Sequence, residues 1–561
     1  MKRSNKFISI ILGLAAVATA TTGCEQFLTE ESYGSTTDVF EEEAGIKSLY
    51  YLSYQKICNL YGGEWWPKMT EQGTDLFLRG NSQTNTGLAD YSGLDANNGD
   101  VGSLWNHCYK ALANINMFLE QIDDTPFRDE SEKEQIKDEI RVMRAMFLWV
   151  ITETWGDSYL PMSTDREEGL EARRSTKEDF YKEIISLLEG AINNGNIPDK
   201  RNDAANAGMI DMPTVKAFLA RMYLYHEDFE KAIDMASQVI DNPSYGFKLS
   251  SSLTDLWADD KTNDEFIWTT NFSSDQSYSS GSSYWQWYAM NIDKIPGLKT
   301  ELQWTGKGGC KAIPTKYYMS LFDKEADLRW RELHQTVWYY NDTADQFNFA
   351  DNQKRVHVDT ALVLYPETAS DAMRNYASTR YNFYDIDDMY NEDGTPKNRE
   401  TFIGMTKFYD HTRPGDMSTF SDRSYPVIRL AELYLIRAEA NIRKDNPDLA
   451  AAAKDIMTLR EARSIRQDGT PEQNEAWRQA MTVTESDMNI DFILAERARE
   501  LGGEWQRWLD LNRFDILIER VRLYNPDAAG NIDEHHKLRP IPQVQFDGMP
   551  DWTTLGQNPG Y

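Results

Sequence analysis

The chain has 561 residues, 90 acidic against 59 basic side chains, a net charge of −31 and a mean hydropathy of −0.63. That length can bury a large core, and that charge repels phosphate backbones and anionic lipid, which argues against nucleic acid as a partner and against membrane contact through a basic surface. Four cysteines without CxxC or zinc spacing argue against a disulfide scaffold, although one bridge among Cys58, Cys108 and Cys310 is left open.

Residues 1–23 read as an export leader: Lys2-Arg3, an apolar run from Phe7 to Val17, then Thr21-Thr22-Gly23 before Cys24. The apolar run is shorter than the roughly 20 residues that cross a bilayer as a helix. Cys24 follows a small residue, as lipidation of a bacterial lipoprotein requires, so the membrane would be reached through the lipid on Cys24. Thr21 stands where a larger aliphatic is usual, and an ordinary secreted chain is the alternative.

The stretch 24–249 is expected to be helical. Leu104 to Ile122 is amphipathic, and Ile136, Ile140, Met143, Phe147, Ile151 and Thr154 recur at helical spacing up to Gly156. Ser131 with Glu134, and Ser175 with Glu178, look like capping boxes at two helix starts. Leu219, Ala220 and Tyr223 precede Ala232 across Glu227-Asp228, and Ala438 precedes Ala450 across Asp445-Asn446-Pro447. Twelve residues separate the small residues of each pair, as in tetratricopeptide hairpins, whose helices approach closely there. The Trp and Gly of the usual repeat are missing, so two unrelated hairpins remain the alternative. Between 250 and 420 the helical period fails, and turn clusters such as Ser279 to Ser283 and Gly306 to Gly309 alternate with β-prone runs, Phe266 to Thr270 and Ala361 to Leu364. This region is expected to be loop-rich and to bind ligand, with 421–561 returning to helix.

No HExxH, GxSxG, GxxxxGK[ST] or GxGxxG motif is present. Asp385, Asp387, Asp388, Asn391 and Asp393-Gly394 only loosely suggest calcium, since the spacing is wrong for an EF-hand, and a polar turn is the preferred reading. His535-His536 reads as a solvated loop pair. No catalytic residue and no cofactor is assigned. The distinctive feature is aromatics in polar loops: Trp65-Trp66 after Gly62-Gly63, Tyr284-Trp285-Gln286-Trp287-Tyr288 after the Ser/Gly cluster, and Trp304 before a Gly-rich turn. Flat apolar faces beside hydrogen-bonding groups suit sugar rings, although each aromatic alone could pin its loop to the scaffold.

Several segments then resemble one family. Ile140 to Phe147, with Arg144-Ala145, leads to Trp155-Gly156-Asp157 and Leu160-Pro161; Leu219 to Leu224 follows, and Pro426 to Ala440 is the most distinctive. Glu496-Arg497, Glu500-Leu501, Gly503-Glu504, Arg507 and Asp510 to Arg513 come next, with Trp505 where the pattern often has Gly. Pro540-Ile541-Pro542 and Gln557 to Tyr561 close the series. In this order, behind a lipidation signal, they resemble the SusD/RagB nutrient-binding lipoproteins of the Bacteroidetes outer membrane. The resemblance implies a mainly α, tetratricopeptide-like scaffold with a loop-rich subdomain, anchored at the cell surface over a SusC-type TonB-dependent transporter. It implies capture of an oligosaccharide, or less often a peptide, without catalysis. A surface glycoside hydrolase and a purely structural subunit remain alternatives. For the ligand site it directs attention to Asp75, Arg79 and Asn81 as hydroxyl partners and to Tyr284, Trp285, Trp287 and Trp304 as stacking platforms, beside Trp65 and Trp66. An ion pair is the alternative for Arg79. Trp285→Ala or Trp304→Ala is expected to abolish binding with little effect on Tm. Arg429, Glu432, Arg437 and Glu439 are expected to pair with one another.

Overall fold

The computed structural model describes residues 42–81, 87–201, 207–258, 263–273, 281–304, 306–342 and 359–561. The leader, Cys24, Ser279 and Ser280 lie outside them. Numbering only the longer helices, the N-terminal part places α1 (Glu43–Gly62), α2 (Trp65–Thr70), α3 (Gly99–Gln121), α4 (Glu130–Trp155) and α5 (Lys177–Asn194) in order. The apolar stripe read from Ile136 to Thr154 is buried, and from Glu139 onward α4 is buried except at Arg141. It is a central helix rather than an amphipathic surface one.

Both expected capping boxes are displaced. At α4 the cap is Asp129, whose carboxylate accepts from the Ser131 amide at 2.9 Å and from the Ser131 hydroxyl at 2.8 Å. At α5 it is Thr176 with Asp179, because the Ser175 backbone is already paired with Ser158 in a β-bridge.

The helical hairpins form as expected, with one change in register. In α6 (Met212–Tyr225) and α7 (Phe229–Ile240), Ala220 and Ala232 are both fully buried. In α8 (Leu430–Arg443) and α9 (Leu449–Ala462), Ala438 is buried but Ala450 is exposed, and Ala452 is the small residue packed with Ala438. The connection between the second pair is two residues longer, which moves the crossing point by two. Helix α10 (Ile490–Leu501) packs on α8, and α11 (Arg507–Arg513) follows it.

The middle region is stitched to the helices by small sheets. Strand β1 (Phe77–Arg79) pairs antiparallel with β3 (Ala312–Pro314), and β2 (Phe266–Thr270) with β9 (Tyr425–Arg429). Strand β4 (His334–Gln335) pairs with β8 (Gly404–Met405). Strands β5 (Val337–Tyr339), β6 (Thr360–Leu364) and β7 (Asn382–Tyr384) make a three-stranded sheet in which β6 and β7 are parallel. One hydrophobic core runs from Ile46 to Leu555 through this region, and a smaller one lies under α8, α9 and α10. Among the described residues no helix is long and apolar enough to cross a membrane, and Cys58, Cys108 and Cys310 are all unpaired.

Ion pairs join the chain's distant parts. Arg429, Glu432, Arg437 and Glu439 do not pair with one another; apart from Arg443, one turn after Glu439 on α8, their partners lie on other elements. Arg429 reaches Glu500 at 2.7 Å and Glu265 and Glu504 at 2.8 Å each, while Glu432 takes Arg221 in a buried bidentate pair. Arg437 pairs with Asp455 and Asp241, and Glu439 with Arg513 and Arg443. The C-terminal motif is structural as well: Asn558 Nδ2 donates to the carbonyls of Trp155 at 3.0 Å and Arg539 at 2.8 Å. His536 is buried rather than solvated, and burial pulls its imidazole down to about 4.

Trp505 adopts φ +63°, a left-handed conformation that glycine takes without strain, which accounts for glycine being common at this place in the resembled pattern. Here the strain is offset by stacking on Tyr425, with ring centroids 4.0 Å apart and planes within 9°.

Candidate functional site

Five of the expected ligand residues are core residues. Trp66 is buried edge-on against Trp149, and Trp287 has no exposed surface. Tyr284 donates its hydroxyl to the Arg423 carbonyl at 2.7 Å and meets Tyr425 and Trp505 edge-on. Trp285 is buried under Arg413, whose guanidinium carbon lies 3.3 Å from the ring centroid. Asp75 is fully buried and bidentate to Arg507 at 2.7 and 2.8 Å, with Arg520 at 3.1 Å. Burial works against its charge, but the two arginines hold its carboxyl below its usual value. None of these five can stack on or bond to a ligand.

The glycines around these residues explain the difference. A Cβ on Gly308 would lie 2.3 Å from the Met290 carbonyl oxygen, and one on Gly309 2.8 Å from Gln286 Cβ. Glycine here marks close approach of backbones rather than an open loop, and that approach presses the aromatics inward. Asp75→Ala is therefore expected to act on stability: it strands Arg507 and lowers stability by about 3–5 kcal/mol. Asn81→Ala should leave Tm nearly unchanged, and thermal denaturation of both variants checks the contrast.

Four expected residues reach the surface. Trp65 is half-buried and tilted on His107 at 5.5 Å. Arg79, at the end of β1, has a half-exposed side chain whose ion pair among the described residues is a long one, 3.9 Å to Asp90. Its backbone is clamped by Asp527 and Arg399. Asn81 is exposed and donates to Glu400 at 3.0 Å, and Glu400 also takes Lys294.

Trp304 is half-buried and lies beside Tyr339, which is 53 % exposed; their ring centroids are 6.3 Å apart with planes inclined at 36°. The Trp304 Nε1 donor is buried and has no partner among the described residues. The turn bearing Trp304 is held from below, where Leu302 N donates to Asp416 at 2.9 Å and Lys307 N to the Asp416 carbonyl at 3.2 Å. Gly306 permits that contact, since a Cβ there would lie 2.3 Å from the Asp416 carbonyl oxygen.

Polar groups rim this aromatic pair. Glu301 accepts from Gln303 at 2.8 Å, Asn341 at 3.1 Å and Lys299 at 2.9 Å, and His411 bonds to the Leu302 carbonyl at 2.8 Å. The bond from Lys299 holds the Glu301 carboxyl below its usual value, so it is an acceptor at neutral pH. That is the wrong state for a general acid, which needs a raised pKa.

Tyr339 was not among the expected residues, although alternation reveals it. In Val337-Trp338-Tyr339, Trp338 turns inward and is buried while Tyr339 turns out. The acids considered for calcium are engaged otherwise: Asp385 and Asp388 pair with Arg374, and Asp393 accepts from Thr395. No group of metal-ligating side chains converges among the described residues.

The chain matches the SusD family model over residues 264–561, and over residues 26–224 a second model described as starch-binding associating with outer membrane. SusD-like protein P25 of Formosa agariphila is 23 % identical over 94 % of both chains. The starch-binding protein SusD of Bacteroides thetaiotaomicron is 21 % identical over 80 % of this chain and 76 % of its own. Among solved structures, a laminarin binding SusD-like protein superposes with a TM-score of 0.67 at 19 % identity, covering 93 % of this chain and 100 % of its own. Surface glycan-binding protein A from Bacteroides thetaiotaomicron, in complex with laminarihexaose, gives 0.66 at 17 % identity, covering 92 % and 99 %. Order of motifs, helical scaffold and family match agree: the chain belongs to the SusD family.

Proposed function

We propose that this chain is a non-catalytic surface lipoprotein that binds an oligosaccharide and passes it to a SusC-type TonB-dependent transporter in the outer membrane. The observation that carries this reading is the tilted pair of Trp304 and Tyr339 with its polar rim. A sugar ring can lay its C–H face on either aromatic while its hydroxyls bond to Glu301, Gln303 or Asn341. Inclined platforms suit a curved glycan, each ring taking one sugar. Arg79 and Asn81 are further hydroxyl partners in this proposal, and Cys24 carries the anchor. Family membership supports the reading, as do relatives described as binding starch and laminarin.

Tyr339→Ala and Trp304→Ala are each expected to weaken glycan binding about tenfold or more. The Tyr339 variant should keep the wild-type Tm, because that ring is mostly exposed. Titration calorimetry with thermal denaturation checks both. Wild-type affinity in the two variants would move the site elsewhere.

A further inference from the structure

Trp304 ends a single 3-10 turn, Leu302–Trp304, and short turns of this kind hold themselves poorly. Two internal bonds close it, from the Trp304 and Gly306 amides to the Glu301 carbonyl at 3.0 and 2.8 Å. The amide at the start of such a turn finds no partner within it. Here that amide, Leu302 N, is taken by the Asp416 carboxylate at 2.9 Å, from a segment more than a hundred residues further along the chain. The same segment holds the turn at two more points. The Asp416 carbonyl accepts from Lys307 N at 3.2 Å, and His411 Nδ1 bonds to the Leu302 carbonyl at 2.8 Å.

That segment is itself footed on the core. Asp410 Oδ1 accepts the Thr412 amide and hydroxyl at 2.8 Å each, and Arg413 donates to the carbonyls of Asp410 at 3.0 Å and Ser418 at 2.5 Å. These bonds fold residues 410–418 around the buried Arg413 guanidinium, which lies on the Trp285 ring. Its Nη2 also reaches the Trp304 turn, for a Cβ on Gly306 would lie 2.7 Å from it. Contacts therefore run from buried Trp285 through Arg413 and Asp416 to half-buried Trp304. Tyr339 is placed differently, by strand pairing, since it stands opposite Thr360 in the β5–β6 ladder.

We infer that Asp416 is the positioning residue of the aromatic platform, with Arg413 and Trp285 as its footing: it fixes the inclination of Trp304 to Tyr339 and acts on the ligand only through Trp304. The inference rests on the reading of that pair as the glycan site. A ring already held in its binding orientation spares the ligand the cost of ordering it. The bond to Leu302 N needs an acceptor oxygen and not a charge, so an amide at this position does the same work. Trp285, expected from the sequence as a stacking platform, serves the site at two removes, by supporting Arg413.

Loss of Trp285 or Arg413 would disturb the core, so the test is made at Asp416. Wild type, Asp416→Ala and Asp416→Asn are labelled with 5-fluorotryptophan, and the Trp304 resonance is assigned by its disappearance in Trp304→Phe. Without ligand, that fluorine resonance should shift or broaden in Asp416→Ala and stay in place in Asp416→Asn. Titration calorimetry with laminarihexaose and with maltohexaose should show about tenfold weaker binding in Asp416→Ala and wild-type binding in Asp416→Asn, with Tm close to the wild type in both. Added to Trp304→Ala, Asp416→Ala should weaken binding no further; added to Tyr339→Ala, it should weaken binding about another tenfold. An unmoved Trp304 resonance in Asp416→Ala, equal losses in the alanine and asparagine variants, or a further loss on top of Trp304→Ala would each overturn the inference. A moved resonance together with glycan binding that Trp304→Ala leaves intact would overturn the sugar platform instead, and the positioning of Trp304 by Asp416 would stand.

Discussion

Replacing Arg429 by alanine should destabilise the protein by at least about 3–5 kcal/mol. Its guanidinium, 1 % exposed as a residue, neutralises three buried carboxylates: Glu265 before β2, and Glu500 and Glu504 at the end of α10 and just beyond it. Arg463 also serves Glu265 and Glu500, and Lys407 serves Glu504, so the acids would not be wholly abandoned. Even so, one cation among few would be lost where no water can replace it. Burial works against the charge of Glu500, and Arg463, Arg429 and Arg329 together hold its carboxyl well below the usual range. Since domains are typically stable by about 5–15 kcal/mol, such a loss is a large part of the whole. Arg429→Lys should not rescue it, because a single ammonium cannot span the forked contacts. Arg478→Ala, which breaks an exposed surface pair with Glu475, should leave the stability nearly unchanged. Urea unfolding of the three variants makes the comparison, and near-wild-type stability of Arg429→Ala would contradict this account of the network.

Glu71→Gln is expected to change the pH dependence of stability. Glu71 follows α2 and is fully buried; its Oε1 accepts the amides of Trp505 at 2.7 Å and Gln506 at 3.2 Å, holding the strained turn at Trp505. Its Oε2 has no partner among the described residues. Arg507 and Lys407 lie near enough to favour the charged form but are engaged with Asp75 and Glu504. Burial prevails and pushes the carboxyl up to about 8, against 4.5 for an ordinary glutamate. The raised folded-state value sets the sign. The stabilisation is complete below about 4.5 and is lost as pH rises from there through about 8, because the folded state keeps a proton that the unfolded state has shed. At 1.36 kcal/mol per unit the whole window is worth roughly 4–5 kcal/mol. Glutamine keeps the Oε1 contacts and carries no proton to lose. The variant should match the wild type at acid pH and exceed it increasingly towards alkaline pH. Urea unfolding across that range measures the difference, and parallel pH profiles would show that Glu71 is ionised in the folded protein.

The scaffold was readable because helical periodicity reports burial directly. The stripe from Ile136 to Thr154 and the small residues Ala220, Ala232 and Ala438 are where periodicity puts them. Ala450 was misplaced because register across a hairpin depends on connection length, which composition does not reveal. The capping boxes were displaced because stronger or already committed groups stood next to Ser131 and Ser175.

The site was harder to read, and the reason lies in glycine. A Gly/Ser-rich setting is compatible with an exposed loop and with tight backbone packing, and only the neighbours at Gly308 and Gly309 tell them apart. Tyr284, Trp285 and Trp287 therefore looked exposed and are core, so Trp285→Ala should cost stability rather than binding alone. Asp75 looked available because its partners, Arg507 and Arg520, stand more than four hundred residues away in sequence. Trp304 stays at the surface on its turn, but its companion Tyr339 comes from strand β5, thirty-five residues further along the chain.

The central claim is capture without turnover. Its most direct test is calorimetric titration of the chain from Glu25 onward against a panel of soluble oligosaccharides, each mixture then checked for cleavage. The account expects saturable binding to one glycan class, with every oligosaccharide recovered intact. Release of new reducing ends would contradict it in favour of a hydrolase, and binding to no glycan in the panel would contradict the assignment of Trp304 and Tyr339 as a sugar platform.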